Sequence, residues 1–300
     1  MRRAIAIDDL KLSEELTARL KELGIHLVDE LVFTPPAELS KELGLELREA
    51  RGLVKLAAEA LGLNLSWLDE VKLQQPELIT TGSKALDELT GGVEVGSLTE
   101  FYGSFATGKT QLCHQLCVNV QLPRSQGGVE GEALYIDCDG TFRPERLREM
   151  AEAAGLSPED ALRRVYVVEP KDVDEQVASA KMAQRLPSKV KLVVVDTVTS
   201  LFRAEYQDVV ERQWRLLQHI KDLEAVAHKG TAVVLANQVV ARLGEEGEAP
   251  VGGPILEAGV VRVRLVKLRE DLRLAKLENS PRRPEGEALF RICREGIRDA

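Results

Sequence analysis

Three hundred residues, 44% of them apolar, suffice for about two domains with proper cores. With 49 acidic against 40 basic residues the net charge is −9, which argues against a protein that coats polyanions through bulk charge. No apolar run reaches the roughly 18 residues of a membrane span, and Met1-Arg2-Arg3 leads into Asp8-Asp9 without a signal-peptide core, so a cytoplasmic protein is expected.

In chain order, residues 1–62 carry helical periodicity in Leu16, Leu20, Leu23, then Leu39, Leu43, then Leu53, Leu56, Ala57, Ala60, with breaks at Gly24, Pro35-Pro36 and Gly44. A small all-α domain is expected there, followed by a linker over 63–79 containing Pro76 and one short strand. From 80 to 300 strand-like and helix-like segments alternate, with apolar strands expected at 98–102, 132–137, 165–168, 191–196 and 231–236. Near-continuous apolar strands alternating with helices indicate an α/β core whose central sheet is mainly parallel and covered on both faces. The segments from Val260 through Leu268, Leu272 to Leu277 and Ala288 to Ile292 alternate with period two and read as antiparallel.

The chemistry concentrates after the first of these strands. Gly103-Ser104-Phe105-Ala106-Thr107-Gly108-Lys109-Thr110 is a complete G-x-x-x-x-G-K-[ST] phosphate loop between an apolar run and a helical run beginning at Gln111. Its glycines let backbone N–H groups turn toward phosphate oxygens, Lys109 reaches the β/γ-phosphates, and the Thr110 hydroxyl is left for Mg²⁺. The following helix points its positive end at the same anion. Lys191 to Asp196 is an apolar strand closing in an acid, the Walker B form that supplies a carboxylate near the magnesium ion; alone it would fit a turn or a cap equally well. Asp139, before Gly140, fits either a group that positions the attacking water or a turn former. Gln238, after the strand ending at Ala236, fits a γ-phosphate sensor or a loop amide that satisfies local backbone groups. The cysteines, Cys113, Cys117, Cys138 and Cys293, lack a second closely spaced ligand pair and read as buried reduced thiols.

A longer pattern runs through Thr80-Thr-Gly-Ser-Lys-Ala-Leu-Asp-Glu-Leu89, Thr99-Glu-Phe-Tyr-Gly103, Gly108 to Leu116, Gly140-Thr-Phe-Arg-Pro-Glu-Arg146, Phe202 to Tyr206, Asn237-Gln-Val239 and Pro284-Glu-Gly-Glu287. In that order these segments resemble the archaeal RadA recombinases, RecA-like ATPases that polymerise on single-stranded DNA and drive homologous strand exchange. The resemblance implies a RecA-like P-loop ATPase core, ATP and Mg²⁺ bound at subunit interfaces, and a small helical N-terminal domain. It places Lys109 and Thr110 on the phosphate and magnesium positions, Asp196 on the Walker B acid, Gln238 on the nucleotide-sensing glutamine and Arg146 on the arginine that stacks against adenine. Asp139 stands where the family carries a catalytic glutamate, so the base is retracted by one methylene and slower hydrolysis is expected.

Other positions depart from the family pattern. Ser104, Ala106 and Thr107 replace an acidic residue, glycine and serine, preserving the motif and stiffening it. The first DNA-binding loop is shortened to the acidic Gln207-Asp-Val-Val-Glu211, and the second, Val240 to Pro250, carries Glu245, Glu246 and Glu248 and no aromatic residue. Such loops supply neither phosphate neutralisation nor base stacking, which sets them against direct binding of single-stranded DNA, although Arg262, Arg264, Lys267 and Arg269 could form a basic stripe on one strand. Leu63 and Ser66 stand in place of the Phe-x-x-Ala anchor between subunits, and Asn279-Ser-Pro281 alters the cap over a neighbour's ATP. The N-terminal segment lacks Gly-x-Gly hairpins, so its helices are expected to serve protein contacts. Two functions follow: a DNA-dependent ATPase acting in recombination by strand exchange, or a paralogue that binds ATP and assists a partner recombinase. A metabolic phosphate-loop kinase lacks a visible acceptor-substrate motif.

Overall fold

The computed structural model describes residues 4–67, 69, 75–241, 248–252 and 260–300, and the chain divides into two compact units, Met1–Gln75 and Pro76–Ala300. In the first unit α1 (Glu14–Glu22), α2 (Val28–Phe33), α3 (Pro36–Leu43) and α4 (Leu47–Ala60) follow a 3₁₀ turn at Ile7–Leu10. Ser13 caps α1 through its side chain, Pro36 opens α3 at a position where its missing N–H is no loss, and Gly44 closes α3 at φ +66°. Leu20, Leu31, Leu39, Leu43, Leu53 and Ala57 are buried together. The α4 stripe is Ala50, Leu53, Val54, Ala57 and Ala58, so Leu56 and Ala60, grouped with it by periodicity, fall on the exposed side, as does Leu23 at the end of α1. Leu65 and Trp67 pack against this helical core, which therefore reaches into the expected linker.

The second unit starts with β1 (Leu78–Ile79), which pairs antiparallel with β2 (Val93–Glu94) around α5 (Lys84–Thr90). Then come β3 (Leu98–Tyr102), α6 (Lys109–Asn119), β4 (Glu132–Asp137), α7 (Pro144–Ala153), α8 (Pro158–Arg163), β5 (Val165–Val168), α9 (Val173–Ala183), β6 (Val190–Asp196), α10 (Ser200–Glu205), α11 (Val209–Ala227) and β7 (Ala232–Asn237). A small hairpin, β8 (Val239–Ala241) with β9 (Glu248–Pro250), precedes β10 (Val261–Lys267), β11 (Leu272–Asn279), β12 (Gly286–Cys293) and β13 (Gly296–Asp299). The central sheet runs β13-β12-β11-β10-β3-β7-β6-β4-β5, parallel from β10 to β5 and antiparallel from β10 to β13.

Strand alternation divides the apolar side chains between two layers. Tyr135, Leu192, Val194 and Val234 join the α6 and α7 side, while Leu134, Ile136, Val193, Val195 and Leu235 join the α9 and α11 side. Helix α6 is buried on nearly every side, which explains why it shows no amphipathic stripe. Its Cys113 and Cys117 are buried free thiols, and Cys138 and Cys293 are half-buried. Among the described residues no helix is long and apolar enough to cross a membrane.

Two buried histidines make stability pH-dependent. His219 of α11 receives one hydrogen-bond contact, to Gln176 Nε2 at 3.1 Å, while its Nδ1 is buried without a partner. Burial lowers its pKa from 6.5 to about 4. Burial also lowers the pKa of His114, whose ring nitrogens contact the Thr110 carbonyl at 2.7 Å and the Arg143 N–H at 3.0 Å. Below pH 6.5 the unfolded chain takes up protons that the folded chain refuses, so stability falls as pH drops from about 6.5 toward 4. A shift of the size at His219 corresponds to about 3 kcal/mol, which urea unfolding at pH 7 and pH 4.5 will register largely as a lower midpoint at the acid pH.

Candidate nucleotide site

Register assembles the site at the carboxyl edge of the parallel strands. Tyr102 at the end of β3 pairs with Asn237 of β7, Ala236 with Asp196 of β6, and Asp196 with Asp137 of β4, so the loops after four adjacent strands open into one crevice. The crevice holds a cavity of about 740 Å³ lined by most of the phosphate loop together with Asp139, Thr141, Thr197 and Gln238.

The phosphate loop wraps the amino end of α6. A Cβ on Gly103 would stand 2.4 Å from the Leu265 carbonyl oxygen, so the backbone approaches too closely for any side chain. Gly108 at φ +104° caps α6, and Ala106 holds φ +61°, a left-handed conformation that alanine adopts at a cost of about 1–2 kcal/mol relative to glycine. Ser104, Phe105 and Ala106 are exposed at the tip, Phe105 almost fully. Thr107 is turned inward and its hydroxyl donates to the Ser104 carbonyl at 2.9 Å. Lys109 is buried and Nζ donates to the carbonyls of Gly103 (2.7 Å) and Ser104 (2.9 Å). Burial lowers its pKa, opposed by Asp196, Cys113 and Asp139.

Asp196 lies beneath the cavity floor. It is 1% exposed and accepts hydrogen bonds from the Tyr135 hydroxyl (2.6 Å) and from the Thr110 hydroxyl. Burial raises its pKa, with Asp139 and Asp137 adding to the effect and the two hydroxyl bonds opposing it. A buried carboxylate whose neighbours are further carboxylates, bonded to a threonine hydroxyl, forms a hard oxygen donor set suited to Mg²⁺.

The two acids after β4 have separate environments. Asp137 accepts from the backbone N–H groups of Thr141 (3.0 Å) and Phe142 (2.8 Å) and anchors the turn. Asp139 is exposed, lines the cavity and accepts from the Thr197 hydroxyl at 3.2 Å. Gln238 also forms part of the cavity wall, and its Oε1 accepts from Arg203 Nη1 of α10 at 3.3 Å. Arg146 is outside this wall: it donates to Gln111 Oε1 (2.7 Å), Glu149 (2.8 Å) and the carbonyls of Cys293 and Arg294 (both 2.6 Å), which ties α7 to the β12–β13 turn. Gln111 itself lines the cavity and is the link between the two.

A buried network behind Gln238 was not legible as motif. Asn237 Nδ2 donates to Glu100 Oε1 (2.7 Å) and to the Val251 carbonyl (2.8 Å), while its Oδ1 accepts from Thr199 (2.8 Å) and the Gln238 N–H (2.8 Å). Glu100, completely buried, pairs with Arg262 at 2.7 Å. This corrects the basic stripe expected on β10: Arg262 points into the sheet against Glu100, Lys267 falls on the face opposite Arg264, and Arg269 lies beyond the strand. Arg262→Met should leave an uncompensated buried carboxylate and cost about 3–5 kcal/mol in urea unfolding, with much of that loss recovered when Glu100→Gln is added.

A glycine-rich loop with its lysine, an acid closing β6 and an amide after β7, on neighbouring ends of a mainly parallel sheet, form a phosphate-loop core of the RecA type. The family model described as Rad51 matches residues 74–300. The chain is 39% identical over 296 residues to the DNA repair and recombination protein RadA of Metallosphaera sedula, covering 94% of this chain and 91% of that one. It is 40% identical over 295 residues to the DNA repair and recombination protein RadA of Aeropyrum pernix, covering 94% and 92%. The chain belongs to the Rad51 family.

Proposed function

We propose that this protein is an ATP-driven DNA repair and recombination protein that assembles on single-stranded DNA and exchanges homologous strands. The observation that carries this is the convergence of Lys109, Thr110, Asp139 and Gln238 on one cavity, with Asp196 directly beneath Thr110, in a chain of the Rad51 family. The phosphate-loop N–H groups and Lys109 bind the phosphates of ATP, and Arg146 takes the adenine side beyond Gln111. Thr110 and Asp196 would hold Mg²⁺, which would offset the negative charge of the phosphates. Asp139 orients the attacking water and accepts its proton.

Gln238 reports the γ-phosphate to the DNA-facing loops. Its side chain reaches α10, which ends at the first loop, and the adjacent Asn237 grips Val251 just past the second. A change at Gln238 therefore bears on both segments through direct hydrogen bonds.

The mediator alternative draws support from the first loop. Helix α10 ends at Glu205 and α11 starts at Val209 with Asp208 as its side-chain cap, so Tyr206, Gln207 and Asp208 form the whole connection. Arg212 bonds the Tyr206 carbonyl at 3.1 Å and Arg215 lies over the Tyr206 ring, which leaves this connection compact and without its own basic residue. Leu63, in place of an aromatic anchor, is 45% exposed. Glu245 and Glu246 of the second loop lie outside the described residues.

Strand exchange between a labelled single strand and a homologous duplex decides between the two. A recombinase yields product only with ATP and only with the homologous duplex. A protein that binds ATP yet forms no product, and instead raises the yield of a second recombinase, is a mediator.

A further inference from the structure

We propose that Arg273, on β11, is a binding residue for the phosphate chain of a nucleoside di- or triphosphate, a second cation in the cavity beside Lys109. This rests on the assignment of the cavity as a nucleotide site and adds to it a residue outside the phosphate loop, on a strand from the antiparallel half of the sheet.

Three observations converge on Arg273. It lines the cavity together with Gly103, Gly108, Lys109 and Ile292 while being 6% exposed. Its Nε is 3.9 Å from the point that a Cβ on Gly108 would occupy, which places the guanidinium beside the loop's second glycine at the amino end of α6. Finally, Nη1 is fully engaged, donating to the carbonyls of Arg269 (2.8 Å), Glu270 (3.0 Å) and Leu272 (3.1 Å), whereas the buried Nε has no partner.

Capping the β10–β11 turn accounts for Nη1 and for nothing else. Among the described residues no carboxylate lies within ion-pair distance of this guanidinium; the neighbouring Asp271 pairs with Arg291 at 3.2 Å. A buried cation without a counterion is costly, and an anion arriving beside it would offset that cost. Burial lowers the Arg273 pKa, with Asp271 opposing, and guanidinium stays charged through the physiological range all the same. The turn carbonyls hold the guanidinium in place, so its free N–H edge is ordered before ligand arrives, an arrangement that favours charge-assisted hydrogen bonding to phosphate oxygen.

The test is titration of the wild type, Arg273→Gln and Arg273→Lys with ADP, ATP and adenosine, alongside thermal unfolding of each protein without ligand. Arg273→Gln is expected to weaken ADP and ATP by about tenfold or more and adenosine by less than twofold, with Arg273→Lys recovering part of the loss. Unchanged ADP and ATP affinity in Arg273→Gln, with a lowered melting temperature, would mean a turn cap and overturn the proposal. A wild type that binds neither ADP nor ATP would instead overturn the nucleotide-site assignment, and Arg273 with it. If Arg273→Gln fails to fold, wild-type protein carrying ¹⁵N-arginine decides: the Arg273 Nε–H resonance, assigned through Arg273→Lys, should move on adding ADP and not on adding adenosine. A resonance indifferent to ADP would refute the assignment.

Discussion

Lys109→Ala is expected to remove ATP turnover, by at least about 10²–10³-fold, and to weaken nucleotide binding with it. Lys109 Nζ is held by the Gly103 and Ser104 carbonyls at the mouth of the anion cradle, with Asp196 and Asp139 supplying the nearby negative charge. The truncation therefore deletes the loop's only side-chain cation and leaves the charge of Asp139, in the cavity, and of Asp196, beneath it, without that counterweight. Equilibrium binding of a fluorescent ADP and steady-state phosphate release measure the two effects separately. A variant with wild-type affinity and rate would show that the phosphate loop has been assigned wrongly.

Asp139→Glu should act in the opposite direction. Asp139 is exposed in the cavity and its carboxylate contacts Thr197, while Asp137, two residues earlier, is committed to backbone N–H groups. Lengthening the side chain by one methylene moves the base toward the cavity without disturbing the turn that Asp137 holds. Because misplacement of a reacting group by about 1 Å can cost on the order of a hundredfold, a gain in turnover of up to that size is expected, at unchanged ATP affinity. Asp139→Asn should lose turnover and keep binding. If Glu and Asn variants hydrolyse ATP at the wild-type rate, Asp139 is a turn residue only.

Much of this candidate site is legible in the sequence. The runs ending at Asp137, Asp196 and Asn237 are strands buried on both faces, so their apolar continuity survives in sequence, and the acid or amide closing each run marks the carboxyl edge of the sheet. The phosphate loop is legible because its glycines answer local demands, the Leu265 carbonyl against Gly103 and positive φ at Gly108.

What could not be read depends on register between distant segments. Arg262 alternates with apolar neighbours as a solvent-facing residue would, and nothing local indicates that Glu100, its direct partner across the β3–β10 pairing, lies buried beneath it. Asn237 carries no local signal of its role, because its partners, Glu100, Thr199 and Val251, come from separate parts of the chain. Arg273 reads as an ordinary charged strand residue until β11 is seen to bring it beside Gly108. Leu56 misled in a simpler way: a leucine between Leu53 and Ala57 fits the helical count, yet the packed stripe follows Ala50, Leu53, Val54 and Ala57.

The most direct test of the central claim is ATP hydrolysis with and without single-stranded DNA, with light scattering recorded on the same mixtures at low and high salt. A recombinase should hydrolyse ATP faster when single-stranded DNA is added and should form large, salt-sensitive assemblies with it. ATP binding without stimulation, in particles that do not grow at low salt, would contradict strand exchange by this protein.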